Sequence, residues 1–286
     1  MILRSMSVGT AALTSVAMLA FAANSLLCRL ALEPGLIDPA SFASLRIASG
    51  ALTLALIALP RLGTQSRGGN DYVAVAMLII YVACFSYAYV SLAAGTGALI
   101  LFGAVQVTMF VAALRAGAGF PPPAWIGLTF AMLGLVCLVA PGLAAPDPGG
   151  AALMGIAGVA WGVYSLRGRI ARDALLATAR SFIYALPAVA IVSLATLGQA
   201  HASPRGMALA IASGSITSGL GYVVWFAAVK RLAATAAATV QLAVPLIAAF
   251  GGVALLGEDI TSRLLISSAA ILGGIWLVLA KRARSA

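Results

Sequence analysis

Polar side chains are rare inside the long apolar runs of this chain, and those that occur are the first candidates for chemistry. Arg46 is the only charged residue well inside a run, and the amides Asn24, Gln106 and Gln241 lie inside three others. A polar group in an apolar environment is costly unless it meets a partner or water. Arg46 could attract a substrate carboxylate, whereas amides donate and accept hydrogen bonds and suit zwitterions or neutral polar metabolites.

Structural roles for the same residues remain open at this point. Arg46 could instead snorkel to the outer surface, or pair with Asp38 or with freed backbone carbonyls. Each amide could form an interhelical hydrogen bond without touching a substrate.

Aromatic residues in the middle of apolar runs form a second group of candidates. Trp161 and Tyr81 lie near the middle of their runs, and Phe85 follows Tyr81 at a spacing of four, on the same helix face. Together with Tyr222 they could stack on a planar apolar substrate, although ordinary helix packing is the alternative. Aromatic residues near the ends of runs are expected in an interfacial belt, namely Tyr72, Trp125 and Trp225.

Two prolines inside apolar runs are candidate hinges. Pro245 removes one amide donor and thereby releases the carbonyl of Gln241, four residues earlier. Pro187 releases the carbonyl of Ile183 in the same way. Small residues such as Ser218 are expected to allow close packing of helices.

The chemistry that the apolar runs lack is also informative. They contain no Asp or Glu, which disfavours a proton relay built on a membrane carboxylate. The chain has no phosphate-binding Gly-Lys-Ser/Thr loop, no general base near Ser215 or Ser218, and no metal-ligand set within the runs. We therefore expect no enzyme activity, no cofactor and no metal.

The elements that must position these side chains are long apolar segments. Hydrophobic residues make up 63% of the chain and charged residues 8%, whereas soluble domains carry roughly a quarter charged residues. The sequence predicts an all-α integral membrane protein with ten spans of about 20 residues. The predicted spans are 9–28, 40–59, 72–92, 96–115, 122–140, 149–167, 177–197, 206–229, 234–256 and 264–282.

The chain matches itself at an ungapped offset of 140 residues. Gly9 falls on Gly149, and Ser41-Phe42 falls on Ser181-Phe182. The offset predicts two five-helix repeats, over residues 1–145 and 146–286. Because five is odd, the second repeat is expected to be inverted. The first span recurs at mid-chain, so we expect it to be retained rather than cleaved as a signal peptide.

Basic residues predict the orientation of these spans. With a cytoplasmic N-terminus, only Arg29, Arg205 and Arg263 of the 17 basic residues lie in outer loops, Arg46 lies within a span, and thirteen lie inside. Basic residues resist translocation, so both termini are expected to be cytoplasmic, in a bacterial inner membrane. The net charge of +10 thus reports topology, and we expect no nucleic-acid partner.

Short motifs in the second half resemble a known family. The run Pro245 to Phe250 followed by Leu256-Gly257-Glu258, and Arg46 seven residues after Pro39, are similar to EamA-type members of the drug/metabolite transporter superfamily. Among these, the chain looks most like bacterial exporters of aromatic amino acids. The first half departs from the pattern, with Val105 at the position of the proline.

The resemblance implies a ten-helix secondary transporter or facilitator with a central cavity between the two repeats. The expected substrates are small amphipathic metabolites, above all aromatic or other apolar amino acids. Multidrug efflux, a nucleotide-sugar-like exchanger, and a non-transporting receptor or assembly factor are the alternatives. The expected partners are the substrate and the lipid bilayer, and the oligomeric state is left open.

Overall fold

The computed structural model of the chain describes residues 8–62, 71–117, 119, 122–140, 145–232, 237 and 240–282. The described residues form helices, with a single isolated β-bridge and no strand. In chain order the helices are α1 (Val8–Leu32), α2 (Pro39–Leu62), α3 (Tyr72–Ala88), α4 (Ala94–Arg115), α5 (Pro122–Val139), α6 (Pro148–Ile170), α7 (Ala174–Ala195), α8 (Pro204–Val229), α9 (Ala243–Leu256) and α10 (Ser262–Arg282). A short 3-10 turn, Leu197–Gln199, follows α7.

Acidic residues between the apolar runs serve as helix caps. The carboxylates of Asp38, Asp71, Asp147 and Asp173 each accept a hydrogen bond from a backbone N–H three residues later, at the start of α2, α3, α6 and α7. A capping side chain satisfies a donor that the first turn of a helix leaves free. Their negative charges also interact favourably with the positive end of the helix dipole.

Most of the described helices are apolar and long enough to be membrane spans. By length and composition, six of them could cross a bilayer, namely α1, α2, α4, α6, α7 and α8. Four shorter apolar helices accompany them, over Tyr72–Ala88, Trp125–Leu138, Ala243–Leu256 and Ser262–Gly274. Large apolar side chains such as Leu52, Phe250 and Leu265 are exposed on the outside. Lipid tails would cover such a surface, as in a multi-pass membrane protein.

Several predicted span limits differ from the structure by a few residues; the first helix, for example, ends at Leu32 rather than at residue 28. The predicted third span, 72–92, ends early, because α3 stops at Ala88 and a turn closed by the bonds Val90 N to Tyr87 O and Leu92 N to Ala88 O leads into α4. In the predicted ninth span, 234–256, Ala237 and Val240 are helical, Gln241 lies in a turn, and helix α9 follows from Ala243. Residues 234–236, 238 and 239 of that span lie outside the described residues, as do Arg4 and Arg284 of the two tails.

Helices that are distant in sequence pack in pairs. α2 packs against α7, α4 against α9 and α5 against α10. α3 packs along α6 as α1 packs along α8, and α4 contacts α6 as α1 contacts α9. If each helix is replaced by the one five places along, so that α1 corresponds to α6 and α5 to α10, the same set of contacts is obtained. The contact of α3 with α6, for example, corresponds to that of α8 with α1. The interior between the two sets of helices is where the polar candidates lie.

Candidate substrate-binding site

Arg46 lies on α2, and its side chain is completely buried, with 0% exposed. Its Nε donates to Ser218 Oγ at 2.8 Å, and its Nη2 donates to the hydroxyl oxygens of Tyr222 at 2.8 Å and Tyr81 at 3.2 Å. These three acceptors come from α3 and α8. Arg46 is therefore held in the interior by both sets of helices, and the snorkelling alternative is wrong.

Pairing of Arg46 with Asp38 is also wrong. The carboxylate of Asp38 accepts the backbone N–H of Ser41 at 2.9 Å and that of His201 at 3.0 Å. Burial raises the pKa of Asp38, but these hydrogen bonds outweigh burial and hold the pKa below its usual value. Asp38 thus organises the start of α2 and leaves Arg46 without a carboxylate from its own helix.

Aromatic rings hold the other face of the Arg46 guanidinium. Its Cζ atom lies 5.0 Å from the ring centroid of Phe85 and 5.2 Å from that of Tyr81. Such cation–π contacts are worth roughly 0.5–2 kcal/mol, more when desolvated. Nη1 of Arg46 is buried and has no hydrogen-bond partner among the described residues. One edge of the cation is therefore free to bind a ligand oxygen.

Asn24 of α1 joins α8 to Tyr81 of α3. Its Oδ1 accepts hydrogen bonds from Ser213 Oγ at 2.7 Å and Thr217 Oγ1 at 3.0 Å, and lies 3.5 Å from Ser218 Oγ. Its Nδ2 donates to the Tyr81 hydroxyl at 3.4 Å. Asn24 is thus an interhelical partner whose bonds fix the side chains that surround Arg46.

A π-helical segment, Ser213–Leu220 within α8, brings these hydroxyls together. In a π-helix the hydrogen bonds run from i to i+5, so residues four and five apart lie on one side. Ser213, Thr217 and Ser218 have that spacing, and sequence reasoning overlooked the first two and assigned Ser218 to packing. A Cβ on Gly214 would lie 2.1 Å from the carbonyl oxygen of Arg46, so this segment needs glycine to approach α2.

Trp161 of α6 lies at the centre of a cluster of aromatic rings. Its ring centroid lies 4.7 Å from that of Tyr222, 5.1 Å from that of Tyr81 and 5.3 Å from that of Phe21. Tyr164 follows at 5.7 Å, and Trp161 Nε1 is buried without a partner among the described residues. Phe21 and Tyr164 were not predicted as site residues, although Tyr164 follows Trp161 at helical spacing.

Two of the three aromatic residues predicted for an interfacial belt are exposed. Tyr72 is 68% exposed and Trp125 is 48% exposed. Trp225 is 0% exposed, and its ring lies 5.7 Å from that of Phe21. The assignment of Trp225 to the belt is wrong, because α8 turns this side chain toward the aromatic cluster.

The two glutamines lie elsewhere in the interior. Gln106 is buried in α4. Gln241 is fully buried; its Nε2 donates to the carbonyl of Ala237 at 3.2 Å, and its Oε1 has no partner among the described residues. The carbonyl of Gln241 accepts the N–H of Val244 at 3.1 Å. The expectation that Pro245 leaves this carbonyl free is therefore wrong, since a tighter turn satisfies it.

The two prolines occupy different positions in their helices. Pro187 lies within α7, so the N–H that would reach Ile183 is absent. Pro245 lies in the first turn of α9, where a missing N–H costs little.

A cavity of about 770 Å³ opens where α3 and α7 begin and α6 ends. Tyr164 and Phe226 line it, and their ring centroids lie 5.5 Å apart. Tyr164 also contacts Tyr222, with centroids 6.2 Å apart, and Tyr222 contacts Arg46. The charged residues of the lining are Asp71, Arg167, Arg172, Asp173 and Arg180. One aromatic contact thus connects the cavity to the buried cation.

At the mouth of this cavity, Arg167 binds Asp71 through two hydrogen bonds, of 2.6 Å and 2.8 Å. The bond from the Arg167 side chain lowers the pKa of Asp71 below its usual value, against a smaller opposing effect of burial. The pair joins α3 to α6.

The opposite end of the molecule is closed by contacts between the two sets of helices. Arg29 Nε lies 3.3 Å from Glu258, whose carboxylate accepts the N–H of Ala94 at 2.9 Å. Arg29 also donates to the carbonyls of Tyr89 and Val90 at 3.3 Å and 3.0 Å. The left-handed Gly257, with φ +67°, ends α9 just before Glu258.

A second contact closes the same end. An antiparallel β-bridge joins Ile37 to Ala202, and Ser203 N donates to Leu36 O at 2.8 Å. The loops α1–α2 and α7–α8 are therefore tied together.

Comparison with known proteins agrees with this architecture. The sequence pattern of the EamA-like transporter family matches residues 148–280. The uncharacterized protein PA1977 of Pseudomonas aeruginosa is 49% identical over 275 residues, which cover 96% of this chain and 95% of the relative. A solved crystal structure aligns with a TM-score of 0.67 at 19% identity, over 98% of this chain and 100% of that chain, which shows a shared fold. The chain belongs to the EamA-like transporter family of membrane proteins, which move small substrates.

Proposed function

We propose that this protein is a secondary transporter or facilitator that exports small amphipathic metabolites, with aromatic and other apolar amino acids as the leading candidates. The observation that carries the proposal is the buried guanidinium of Arg46, held by hydroxyls from both sets of helices and surrounded by aromatic rings. Transporters built from inverted repeats bind their substrates in such an interior, between the two repeats.

The chemistry of the site suits an amphipathic acid. A substrate carboxylate would bind Nη1 of Arg46, which has no partner among the described residues. The planar side chain of the substrate would replace ring–ring contacts of Trp161, Tyr81 and Tyr222. Phe85 and Asn24 hold the cation and the tyrosine in place, and Gln106 and Gln241 are further polar candidates of the interior.

We further propose ten spans in two inverted repeats, with both termini cytoplasmic. The helix contacts that survive exchange of α1–α5 with α6–α10 support the duplication. The excess of basic residues on one side supports the orientation. In that orientation the 770 Å³ cavity opens to the cytoplasm, and the Arg29–Glu258 contact closes the outer face. Pro187 and Pro245 are the hinge candidates for the change to an outward-open state.

Transport is proposed to be facilitated rather than proton-driven. The acidic residues lie at helix ends or in loops, where several cap helices, so the interior carries no carboxylate to bind and release a proton.

Flux measurements with purified protein in liposomes test the proposal. Labelled phenylalanine, tryptophan and leucine are added outside, and uptake is compared with that of protein-free liposomes. We expect protein-dependent uptake that survives collapse of an imposed pH gradient. Loss of uptake on collapse would show proton coupling. Absence of amino-acid flux would reject these substrates, and a receptor or assembly factor would move no solute at all.

A further inference from the structure

We infer that the site around Arg46 recognises the carboxylate of its substrate and has no counterpart for an α-ammonium group. It should therefore accept aromatic carboxylic acids that lack the amino group at least as well as the amino acids themselves. This inference rests on the proposed function and narrows its substrate class to organic anions with one carboxylate and a planar apolar body.

Hydrogen-bond donors at the site exceed their acceptors. Arg46 Nη1 and Trp161 Nε1 are buried and have no partner among the described residues. The hydroxyl oxygens of Tyr81 and Tyr222 both accept from Arg46, and the two hydroxyls also bond to each other, which leaves one hydroxyl proton to donate. A ligand that supplies oxygen acceptors would satisfy these groups. A carboxylate, which accepts and does not donate, is the simplest one.

The two acceptors beside Arg46 that could serve an ammonium group, Asn24 Oδ1 and Ser218 Oγ, are already used. Asn24 Oδ1 accepts from Ser213 and Thr217, with Ser218 close by. Ser218 Oγ accepts from Arg46 Nε. An ammonium group would bring three more donors to a site that already has too many.

Aromatic faces offer no better place for a second cation. The rings of Tyr81 and Phe85, which could bind an ammonium by a cation–π contact, already hold the guanidinium of Arg46. Gln241 Oε1 is a buried acceptor without a partner among the described residues, but it belongs to a neutral amide. It could accept one hydrogen bond and could not balance two positive charges.

The charge balance at the site also favours a carboxylate without an ammonium group. The seven acidic residues lie at helix ends or in loops, and Asp38, which caps the start of α2, is about 12 Å along the helix axis from Arg46. Arg46 is therefore a buried cation that a single external negative charge would neutralise. A zwitterion brings no net charge and leaves the site positive.

The cavity next to the aromatic cluster also favours anions. Its lining carries the cations Arg167, Arg172 and Arg180 against the acids Asp71 and Asp173. Lys230 lies beside it, donating to the carbonyl of Arg172 at 3.0 Å. Excess positive charge in a concave surface raises the local concentration of anions.

A ligand series on the unmodified protein tests the inference directly. Liposomes holding the purified protein are given labelled phenylalanine, the 2-hydroxy acid in which a hydroxyl replaces its amino group, or the amine that lacks its carboxylate. Rates in protein-free liposomes are subtracted, because weak acids and amines cross lipid slowly on their own. We expect the hydroxy acid to enter at least as fast as the amino acid and the amine not to enter.

The outcomes separate this inference from the proposed function. Uptake of phenylalanine with slower uptake of the hydroxy acid overturns the inference and leaves the transporter proposal intact. Uptake of the amine also overturns it. Uptake of none of the three rejects the proposed function itself.

Variants of Arg46 give a second, independent readout. In Arg46→Gln we expect uptake of the hydroxy acid to fall tenfold or more, and in Arg46→Lys we expect partial retention, since the charge remains. Arg205→Gln, a matched loss of an exposed arginine at the start of α8, should leave the rate unchanged. Undiminished uptake in Arg46→Gln would contradict the inference. The ligand series stands even where Arg46→Gln does not fold.

Discussion

Arg46 is a buried cation whose described partners are all neutral, namely three hydroxyl oxygens and two aromatic rings. Burial of an uncompensated charge costs several kcal/mol even after relaxation. Stability alone would favour an apolar side chain at position 46. A buried charge that destabilises the fold is typical of a functional site, where a ligand supplies the opposite charge.

The ring of Trp161 should also be needed for transport. In Trp161→Ala we expect initial uptake of labelled phenylalanine to fall at least fivefold, because the central surface of the aromatic cluster is removed. Trp125→Ala is the matched control, since Trp125 is on the outside of α5. Rates are normalised to inserted protein. A full rate in Trp161→Ala would remove this residue from the site.

Sequence reasoning could find the individual polar and aromatic residues but not their partners. Arg46, Asn24, Tyr81 and Trp161 stand out because they are polar or aromatic within apolar runs. Which hydroxyl binds which nitrogen depends on helix rotation and on contacts between α2, α3 and α8, which have no signature in local spacing. Trp225 was misplaced for the same reason.

At the scale of elements, the π-helical segment of α8 is the part that local rules could not predict. The run of small residues from Ser213 to Leu220 indicates close packing, but no sequence pattern predicts that its hydrogen bonds change from i+4 to i+5. The helix starts, by contrast, follow from residue types, because Asp38, Asp71, Asp147 and Asp173 are strong N-caps.

Close approach of α8 to α2 should make Gly214 intolerant of any side chain. In Gly214→Ala the new Cβ would meet the carbonyl oxygen of Arg46 and Ser49 Oγ, each at 2.1 Å, so the helices must separate. We expect a melting temperature in detergent several degrees lower, and reduced transport. Gly155→Ala, in the interior of α6 with nothing within 4 Å, is the control and should be neutral or slightly stabilising. Equal melting temperatures for the two variants would contradict the packing described.

The Asp71–Arg167 pair, which joins the start of α3 to the end of α6, should lose its stabilising effect in acid. The folded-state pKa of Asp71 is lowered, so its pair with Arg167 stabilises the fold above the ordinary Asp pKa of about 3.9 and loses this effect as pH falls through the lower value. Against Asp71→Asn, which keeps an N-cap, the wild type should show a constant small advantage in melting temperature from pH 8 to 5. The difference should shrink as pH falls below the ordinary Asp pKa and vanish below the lowered pKa of the folded state. A difference that changes between pH 8 and 6 would point to another group.

At the scale of the molecule, the two ends are closed to different degrees. One end holds the 770 Å³ cavity, and the other is tied by the Arg29–Glu258 pair and by the Ile37–Ala202 bridge. The 140-residue offset predicts two similar halves but cannot tell which end is open, because two equivalent packings share one sequence. Glu258 has no counterpart in the first half, where Ala118 occupies the corresponding position. The difference between the two ends therefore corresponds to a difference in sequence, at Glu258.

Loss of the Glu258 charge should open the closed end. Cys28 precedes Arg29 and is fully buried, so in a protein lacking Cys84 and Cys137 it reports access from that side. In Glu258→Gln we expect a membrane-impermeant maleimide to label Cys28 several-fold faster in intact spheroplasts. Glu33→Gln removes the other carboxylate near Arg29, which is exposed and 3.6 Å away, and should change little. Equal labelling in both variants would show that the Glu258 contact does not hold this end closed.

The unbalanced charge of Arg46 also offers a way to identify the exported compound without vesicles or radiolabels. The empty protein carries the full desolvation cost of that cation, so a binding acid should stabilise the detergent-solubilised fold by RT ln(1 + [L]/Kd), about 2.7 kcal/mol at a hundredfold excess over Kd. A melting-temperature screen of a library of weak acids would therefore rank candidate cargoes by heat resistance alone.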